Sequence, residues 1–176
     1  MWNMSIAVTN IVVAGLGGQG VIKASDIIAD AAFRAGHDVK KSEIHGMSQR
    51  GGSVTSDIRF GERVLSPMVP PGEADFLLVI APDQIENNRY MLKTQGILIA
   101  PDWIDAGKLR SARSANVALV GCLSALLRID MQIWLDALRA NLPSKGFESN
   151  ELAFNLGREA CAMRRPQPVM HSEAAL

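Results

Sequence analysis

The sequence predicts one α/β domain with three layers, in which helices cover both faces of a mixed, mostly parallel β-sheet. Short apolar runs rich in β-branched residues alternate with longer segments whose apolar residues recur at helical spacing. A glycine-rich turn joins the first such run to the first helix. The length of 176 residues fits a single domain. We assign this domain to residues 1–165 and a flexible tail to residues 166–176, which contain two prolines and no periodicity.

The first half of the chain is predicted to begin with a buried strand at residues 10–14 and a helix at residues 21–35, which Gly36 ends. Residues 38–43 can form a second strand. Residues 53–60 then alternate between apolar and polar side chains, which predicts an inserted β-hairpin whose returning strand is residues 63–66.

The second half is predicted to contain two further buried strands, at residues 75–80 and 96–100, because both runs are apolar almost throughout. Together with the first strand they should form the centre of the sheet. The remaining segments are predicted to be helices, at residues 83–92, 116–128, 131–142 and 149–163.

Composition excludes several classes of function. Eighteen Lys and Arg balance eighteen Asp and Glu, so we expect no nucleic-acid or membrane partner. Cys122 and Cys161 lie far apart and in no Cys/His cluster, so we expect no metal site and no iron–sulfur cluster in this chain. The apolar N-terminus has no basic residue before Lys23 and is interrupted at Gly15, unlike a secretory signal or a membrane span. We therefore expect a cytoplasmic protein.

A first candidate site is the Rossmann-like loop at residues 15–20, which reads G-L-G-G-Q-G. Glycines allow positive φ and close backbone approach, and the N-terminus of the following helix offers free N–H groups to an anion. Glu43 lies about where a ribose-binding acid follows the second strand of dinucleotide-binding proteins. The alternative is that the glycines form a tight strand-to-helix turn without a ligand. The candidate cofactor-binding residues are Gly15, Gly17, Gly18, Gln19 and Gly20.

A second candidate site is the loop at residues 42–53, which reads S-E-I-H-G-M-S-Q-R-G-G-S. His45 is either an acid/base group or a structural histidine, and Arg50 is either an anion clamp or an ordinary solvated side chain. We expect this loop to be partly exposed in the isolated chain and to become buried in a complex. The candidate channel or interface residues are Glu43, His45, Gly46, Met47, Gln49, Arg50, Gly51 and Gly52.

These two motifs resemble those of a known family. The strings G-L-G-G-Q-G-V-I and S-E-I-H-G-M-S-Q-R-G-G-S-V, followed by V-L-S-P and G-E-A-D-F-L-L, are similar to the gamma subunit of 2-oxoacid:ferredoxin oxidoreductases, which includes the beta subunit of indolepyruvate ferredoxin oxidoreductase. The resemblance extends to about residue 165. One departure lies after the third predicted strand, where family members commonly carry Glu and this chain reads Ala81-Pro82-Asp83.

The resemblance implies a subunit without catalytic residues or cofactors of its own. The family's complexes decarboxylate a 2-oxoacid on thiamine diphosphate, pass electrons through [4Fe-4S] clusters to ferredoxin, and usually transfer the acyl group to coenzyme A (CoA). Thiamine diphosphate-binding and ferredoxin-like subunits are the implied partners, and a homodimer is one form open to the isolated chain. The alternatives are a free-standing NAD- or FAD-binding protein and a homo-oligomeric scaffold.

Overall fold

The computed structural model describes residues 8–46 and 51–164, and these contain a five-stranded sheet with the order β2-β3-β1-β4-β5. The strands are β1 (Val8–Leu16), β2 (Asp38–His45), β3 (Ser53–Gly61), β4 (Ala74–Val79) and β5 (Leu92–Ile99). β4 pairs in parallel with β1 and β5, whereas β3 pairs antiparallel with β1 and β2. Four strands therefore run in one direction and β3 runs against them, so the predicted mixed, mostly parallel sheet is confirmed.

The helices largely occupy the predicted segments. They are α1 (Val21–Arg34), α2 (Ile85–Asn88), α3 (Ala115–Ser124), α4 (Met131–Asn141) and α5 (Phe147–Arg164). Gly36 follows α1 with φ of 90°, as expected of a glycine that ends a helix. The predicted helix at residues 83–92 consists of α2 with a 3-10 turn on either side, Pro82–Gln84 and Arg89–Met91. No helix in the described ranges is long and apolar enough to cross a membrane.

The two faces of the sheet are covered differently. Ile11 and Val13 of β1 belong to one core cluster with α1, α3, α4 and α5. Val12 and Ala14 point to the other face, because side chains alternate along a strand, and pack there against Val69 and the short helical turns around α2. The α/β architecture is thus as predicted, but the second helical layer is reduced to those short turns.

The predicted hairpin has a different second strand. Residues 63–66 do not pair with β3; β2 does, from Asp38 opposite Gly61 to His45 opposite Val54. Side chains instead bind the backbone of residues 63–66, the predicted second strand of the hairpin. The Val64 N–H donates to Asp38 at 2.8 Å, and the Arg59 guanidinium donates to the Ser66 carbonyl at 3.0 Å. These backbone groups are therefore not free to form a ladder.

The position of β5 also corrects the sequence prediction. The apolar run at residues 96–100 was expected to be a central strand, but β5 forms an edge of the sheet, with β4 as its only neighbour among the described strands. β5 is apolar because both of its faces are covered: Ile99 belongs to the helical core, and Leu98 packs into the cluster on the opposite face.

Two glycines allow α3 and α5 to pack closely. A Cβ at Gly121 would lie 2.1 Å from the Phe154 carbonyl oxygen, and one at Gly157 would lie 1.8 Å from the Ala118 carbonyl oxygen. Both contacts are with backbone atoms, so neither clash can be relieved by a side-chain rotation.

We predict that Gly157→Ala lowers the free energy of unfolding by about 1–3 kcal/mol, because the helices must separate to admit the methyl group. Urea unfolding of the purified chain measures this loss. Glu159→Ala, on an exposed position of the same helix, should change stability by less than about 0.5 kcal/mol. Equal effects of the two substitutions would contradict the close-packing assignment.

Candidate functional site

The antiparallel pairing of β3 with β1 brings the two candidate loops together. Ser53 at the start of β3 lies opposite Leu16 at the end of β1. Immediately beyond this pair, the Gly17 N–H donates to the Gly52 carbonyl at 2.9 Å. A Cβ on Gly17 would lie 3.6 Å from the Gly51 nitrogen. The two motifs, more than thirty residues apart in sequence, thus form one surface.

The glycine loop has a conformation that other residues would resist. Gly18 and Gly20 have φ of 88° and 83°, in the left-handed region. Gly20 is also the N-cap of α1, and a Cβ there would lie 2.3 Å from Nδ2 of Asn116. Asn116, at the start of α3, donates from Nδ2 to the Gly20 carbonyl at 3.2 Å. The backbone conformation therefore favours glycine at position 20, and a Cβ there would also displace the Asn116 amide group.

Gln19 stabilises the loop from within. Its side-chain oxygen accepts a hydrogen bond from the Leu16 N–H at 2.9 Å, and its own N–H donates to the Leu16 carbonyl at 3.1 Å. Gly15 is still part of β1, and a Cβ there would lie 2.8 Å from a methyl group of Val21. The sequence analysis predicted both residues as cofactor contacts, and this stays a prediction; in the structure Gln19 binds the backbone of the loop and Gly15 pairs with Val54 of β3.

A cleft of about 410 Å³ opens beside the loop. The first turn of α1 has no acidic residue, and no side chain among the described residues caps it. Lys23 adds a positive charge in that turn, and the imidazole of His45 lines the opposite side. A helix N-terminus with a nearby cation favours an anion.

A chain of charged side chains leads from α1 to this cleft. The Lys41 ammonium lies 2.5 Å from Asp26 of α1 and 2.7 Å from Glu43, and the other Glu43 oxygen lies 3.6 Å from Nε2 of His45. The hydrogen bond from Lys41 holds the pKa of Glu43 below its usual value. Burial lowers the pKa of Lys41, but the hydrogen bonds with Asp26 and Glu43 outweigh it and raise the pKa overall. Glu43 is therefore a charged partner of Lys41 and His45.

The sheet does not have the dinucleotide-binding arrangement. In that arrangement the second strand lies beside the first and parallel to it. Here β3 lies between β2 and β1. Glu43 is consequently separated from the glycine loop by an additional strand, and its carboxylate is already engaged by Lys41. The expected ribose contact thus has no structural basis.

The remaining predicted site residues fall into two groups. The Gly46 N–H donates to the Ser53 carbonyl at 2.7 Å, and Gly51 has φ of 66°. The predicted residues Met47, Gln49 and Arg50 lie outside the described residues. Sequence reasoning missed Asn116 and the ionic role of Lys41. The only signal for Lys41 was the unusual presence of lysines in a strand.

Neither cysteine is available as a ligand. Cys122 on α3 and Cys161 on α5 are buried in the helical core. Burial, with a smaller effect of Cys161, raises the pKa of the Cys122 thiol to about 12. Within the described ranges no group of three or more His, Cys, Asp or Glu side chains could hold a metal ion.

The fold and the cleft together define an α/β domain with a glycine-rich loop at the edge of a cleft. Residues 10–160 match the family model described as pyruvate ferredoxin/flavodoxin oxidoreductase. The chain is 55% identical to indolepyruvate oxidoreductase subunit IorB of Methanothermobacter thermautotrophicus. The alignment is 192 positions long and covers 87% of this chain and 97% of that protein.

Two solved structures share the fold. The gamma subunit of a keto/oxoacid ferredoxin oxidoreductase from Geobacter sulfurreducens matches with a TM-score of 0.76 and 23% identity, over 89% of this chain and 98% of that one. The 2-oxoglutarate:ferredoxin oxidoreductase of Magnetococcus marinus, solved with 2-oxoglutarate, CoA and succinyl-CoA, matches with a TM-score of 0.77 and 22% identity. The match covers 89% of this chain and 31% of that chain. This chain belongs to the pyruvate ferredoxin/flavodoxin oxidoreductase family, as a gamma-type subunit of 2-oxoacid:ferredoxin oxidoreductases.

The departure at residues 81–83 lies directly after β4. Ala81 is buried and precedes the 3-10 turn Pro82–Gln84, while Asp83 is exposed. The only carboxylate in this short segment therefore faces solvent.

We predict that the Lys41–Glu43 contact makes stability depend on acidic pH. Because the pKa of Glu43 is lowered in the folded state, the ionised carboxylate stabilises the fold. This stabilisation is complete at pH values above the ordinary pKa of 4.5 and is lost as the pH falls below 4.5 toward the pKa of the folded state. Lys41→Met should reduce this loss, which urea unfolding between about pH 3 and 7 measures. Lys145→Met, at an exposed loop position, is the control. An unchanged pH profile in Lys41→Met would contradict the assignment.

Proposed function

We propose that this chain is the non-catalytic gamma-type subunit of a complex that oxidatively decarboxylates an aryl 2-oxoacid such as indolepyruvate, with electrons passing to ferredoxin. The aryl substrate is supported by the name of the 55% identical relative. The observation that carries the role of this subunit is the hydrogen bond from Gly17 to Gly52, which joins the two glycine-containing loops around one cleft. We propose that this joined surface contributes to an interface or to a CoA or substrate channel.

The catalytic cofactors belong to sister chains in this proposal. Thiamine diphosphate supplies the carbanion chemistry of such decarboxylations. The described residues of this chain offer no acidic cluster for the accompanying metal ion, and its two cysteines are too few for a [4Fe-4S] cluster. No step of the reaction is therefore assigned to residues of this chain.

The contribution of this chain is to bind and orient an anionic group. The N–H groups of the first turn of α1, together with Lys23, suit a phosphate group of CoA or the carboxylate of an oxoacid. His45 and Asp26 also line the cleft, and Nε2 of His45 lies 3.6 Å from a Glu43 oxygen. Residues 47–50 of the second motif, which include Arg50, lie between Gly46 and Gly51 in the sequence, and we propose that they meet a sister subunit in the cytoplasm.

Reconstitution tests this function. The purified chain is combined with the sister subunits that its own cell produces, and ferredoxin reduction is followed with indolepyruvate, pyruvate and 2-oxoglutarate. We expect turnover only in the presence of this chain, and faster with indolepyruvate than with the two smaller acids. Full activity of the sister subunits alone would contradict the proposal. A preference for pyruvate would contradict the proposed aryl substrate but would be consistent with the proposed subunit role.

We also predict that Gly18→Val impairs the reconstituted enzyme, whereas Gly36→Val does not. The two positions are matched, since φ is 88° and 90° and no atom lies within 4 Å of an added Cβ. Each substitution should cost the free chain about 1–2 kcal/mol of stability, because a branched residue resists the left-handed region. Only Gly18 lines the cleft. Equal activities at equal stability would show that Gly18 has a conformational role alone.

A further inference from the structure

A second cleft lies on the face of the sheet that the long helices do not cover. Its volume is about 380 Å³. β3 provides its floor, and the segment before β4 and the region around α2 provide its walls. Neither candidate motif predicted this site, although Gly46 and Ser53 lie at one end of it.

The floor of this cleft is a polar stripe on β3. Side chains alternate along a strand, so Val54 and Ile58 point into the helical core. Ser53, Thr55 and Asp57 consequently share the opposite face, and all three line the cleft. Two hydroxyl groups and one carboxylate are thus aligned along its floor.

Asp57 is a buried residue whose carboxylate has one oxygen bound by the backbone and one without a donor among the described residues. The residue is 4% exposed, and burial raises the pKa of its carboxyl group. Oδ2 accepts a hydrogen bond from the Val69 N–H at 2.9 Å. Oδ1 accepts none from any residue in the described ranges. Asp57 lines the cleft, and Oδ1 is open to it rather than sealed in the core, so a ligand in the cleft can donate a hydrogen bond to this oxygen.

A second unsatisfied polar atom lies on the next strand. Ser42 of β2 is directly opposite Asp57 in the register, so the two side chains are on the same face. The Ser42 hydroxyl is buried and has no hydrogen-bond partner. Among the described residues, the Ser42 hydroxyl is therefore an unpartnered polar group next to Asp57, although it does not line the cleft.

The rim of the cleft is apolar and exposed. Ile44, Met68 and Tyr90 are among the exposed large hydrophobic residues of the described chain, and all three line this cleft. Such side chains suit the apolar body of a ligand whose polar end reaches the floor. The volume lies near the lower limit for ligand pockets, which indicates a small molecule.

We propose that this cleft binds a small amphipathic cation, an ammonium group on an aromatic or branched apolar body, with the ammonium paired to Asp57 and the body against Ile44, Met68 and Tyr90. The ammonium donates to the free oxygen of Asp57 and neutralises its charge. This site is on the other face of the sheet from the glycine-loop cleft. It is independent of the proposed function.

The test uses tryptamine as the cationic probe and indole-3-propionate as its anionic counterpart. Both carry the same ring, so a difference between them reports the charge. Calorimetric titration of the full chain measures both affinities, and chemical shift changes locate the bound probe. We expect tryptamine to bind in the cleft and indole-3-propionate to bind at least about tenfold more weakly.

The variant Asp57→Asn isolates the carboxylate. The asparagine oxygen can still accept the Val69 N–H, so the melting temperature should be unchanged, whereas tryptamine affinity should fall about tenfold or more. Asp38→Asn is the matched control. Asp38 lies on the same face of the sheet and accepts the Val64 N–H at 2.8 Å, but it does not line the cleft. The Asp38→Asn substitution should therefore leave tryptamine affinity unchanged.

Three results would overturn the proposal. The first is no tryptamine binding at millimolar concentration in the free chain. The second is equal affinity for the two probes, or tryptamine binding that Asp57→Asn does not weaken. The third is that the free chain does not bind tryptamine and its Asp57→Asn variant fails to assemble with sister subunits. This result would mean that Asp57 pairs with a basic side chain of a partner. If Asp57→Asn does not fold, Tyr90→Ala with the same two probes tests the apolar part of the site.

Discussion

The antiparallel pairing of β3 with β1 is the constraint on which the rest of the molecule depends. The register runs from Val8 opposite Gly61 to Leu16 opposite Ser53. An antiparallel partner begins where the other strand ends, so the turn before β3 returns to the loop after β1. A parallel neighbour would have placed that turn at the opposite end of the sheet. The hydrogen bond between Gly17 and Gly52 follows from this choice of direction.

The position of β3 between β2 and β1 also accompanies a difference between the two faces of the sheet. On one face α1 packs over β2 and β3, and Lys41 extends from β2 to Asp26 of α1. The other face receives a segment without regular structure, and two aspartates secure it by accepting the Val64 and Val69 N–H groups. Because a loop cannot bury a sheet as completely as a helix, this face retains exposed apolar side chains and a cleft with a carboxylate on its floor.

The local sequence pattern was sufficient to predict some secondary-structure elements and not others. β1 and α1 were predictable because apolar periodicity and the glycines at each end agree. The partner of β3 was not predictable, because Lys41 makes β2 look solvent-exposed although its charge is neutralised by a helix distant in sequence. Residues 63–66 look like a strand, but Asp38 and Arg59 bind their backbone. The candidate loops were found from composition, whereas Asn116 and Asp57 act through contacts that only the folded chain creates.

The burial of the two cysteines has a practical consequence. Thiol reagents attack the thiolate, and the Cys122 thiol remains protonated at neutral pH because its pKa is raised to about 12. Burial also raises the pKa of Cys161. The sequence contains no other cysteine. A single cysteine introduced on the surface would therefore be labelled selectively by a spin probe or fluorophore, and distances from this subunit to the rest of its assembly become measurable without replacing either native cysteine.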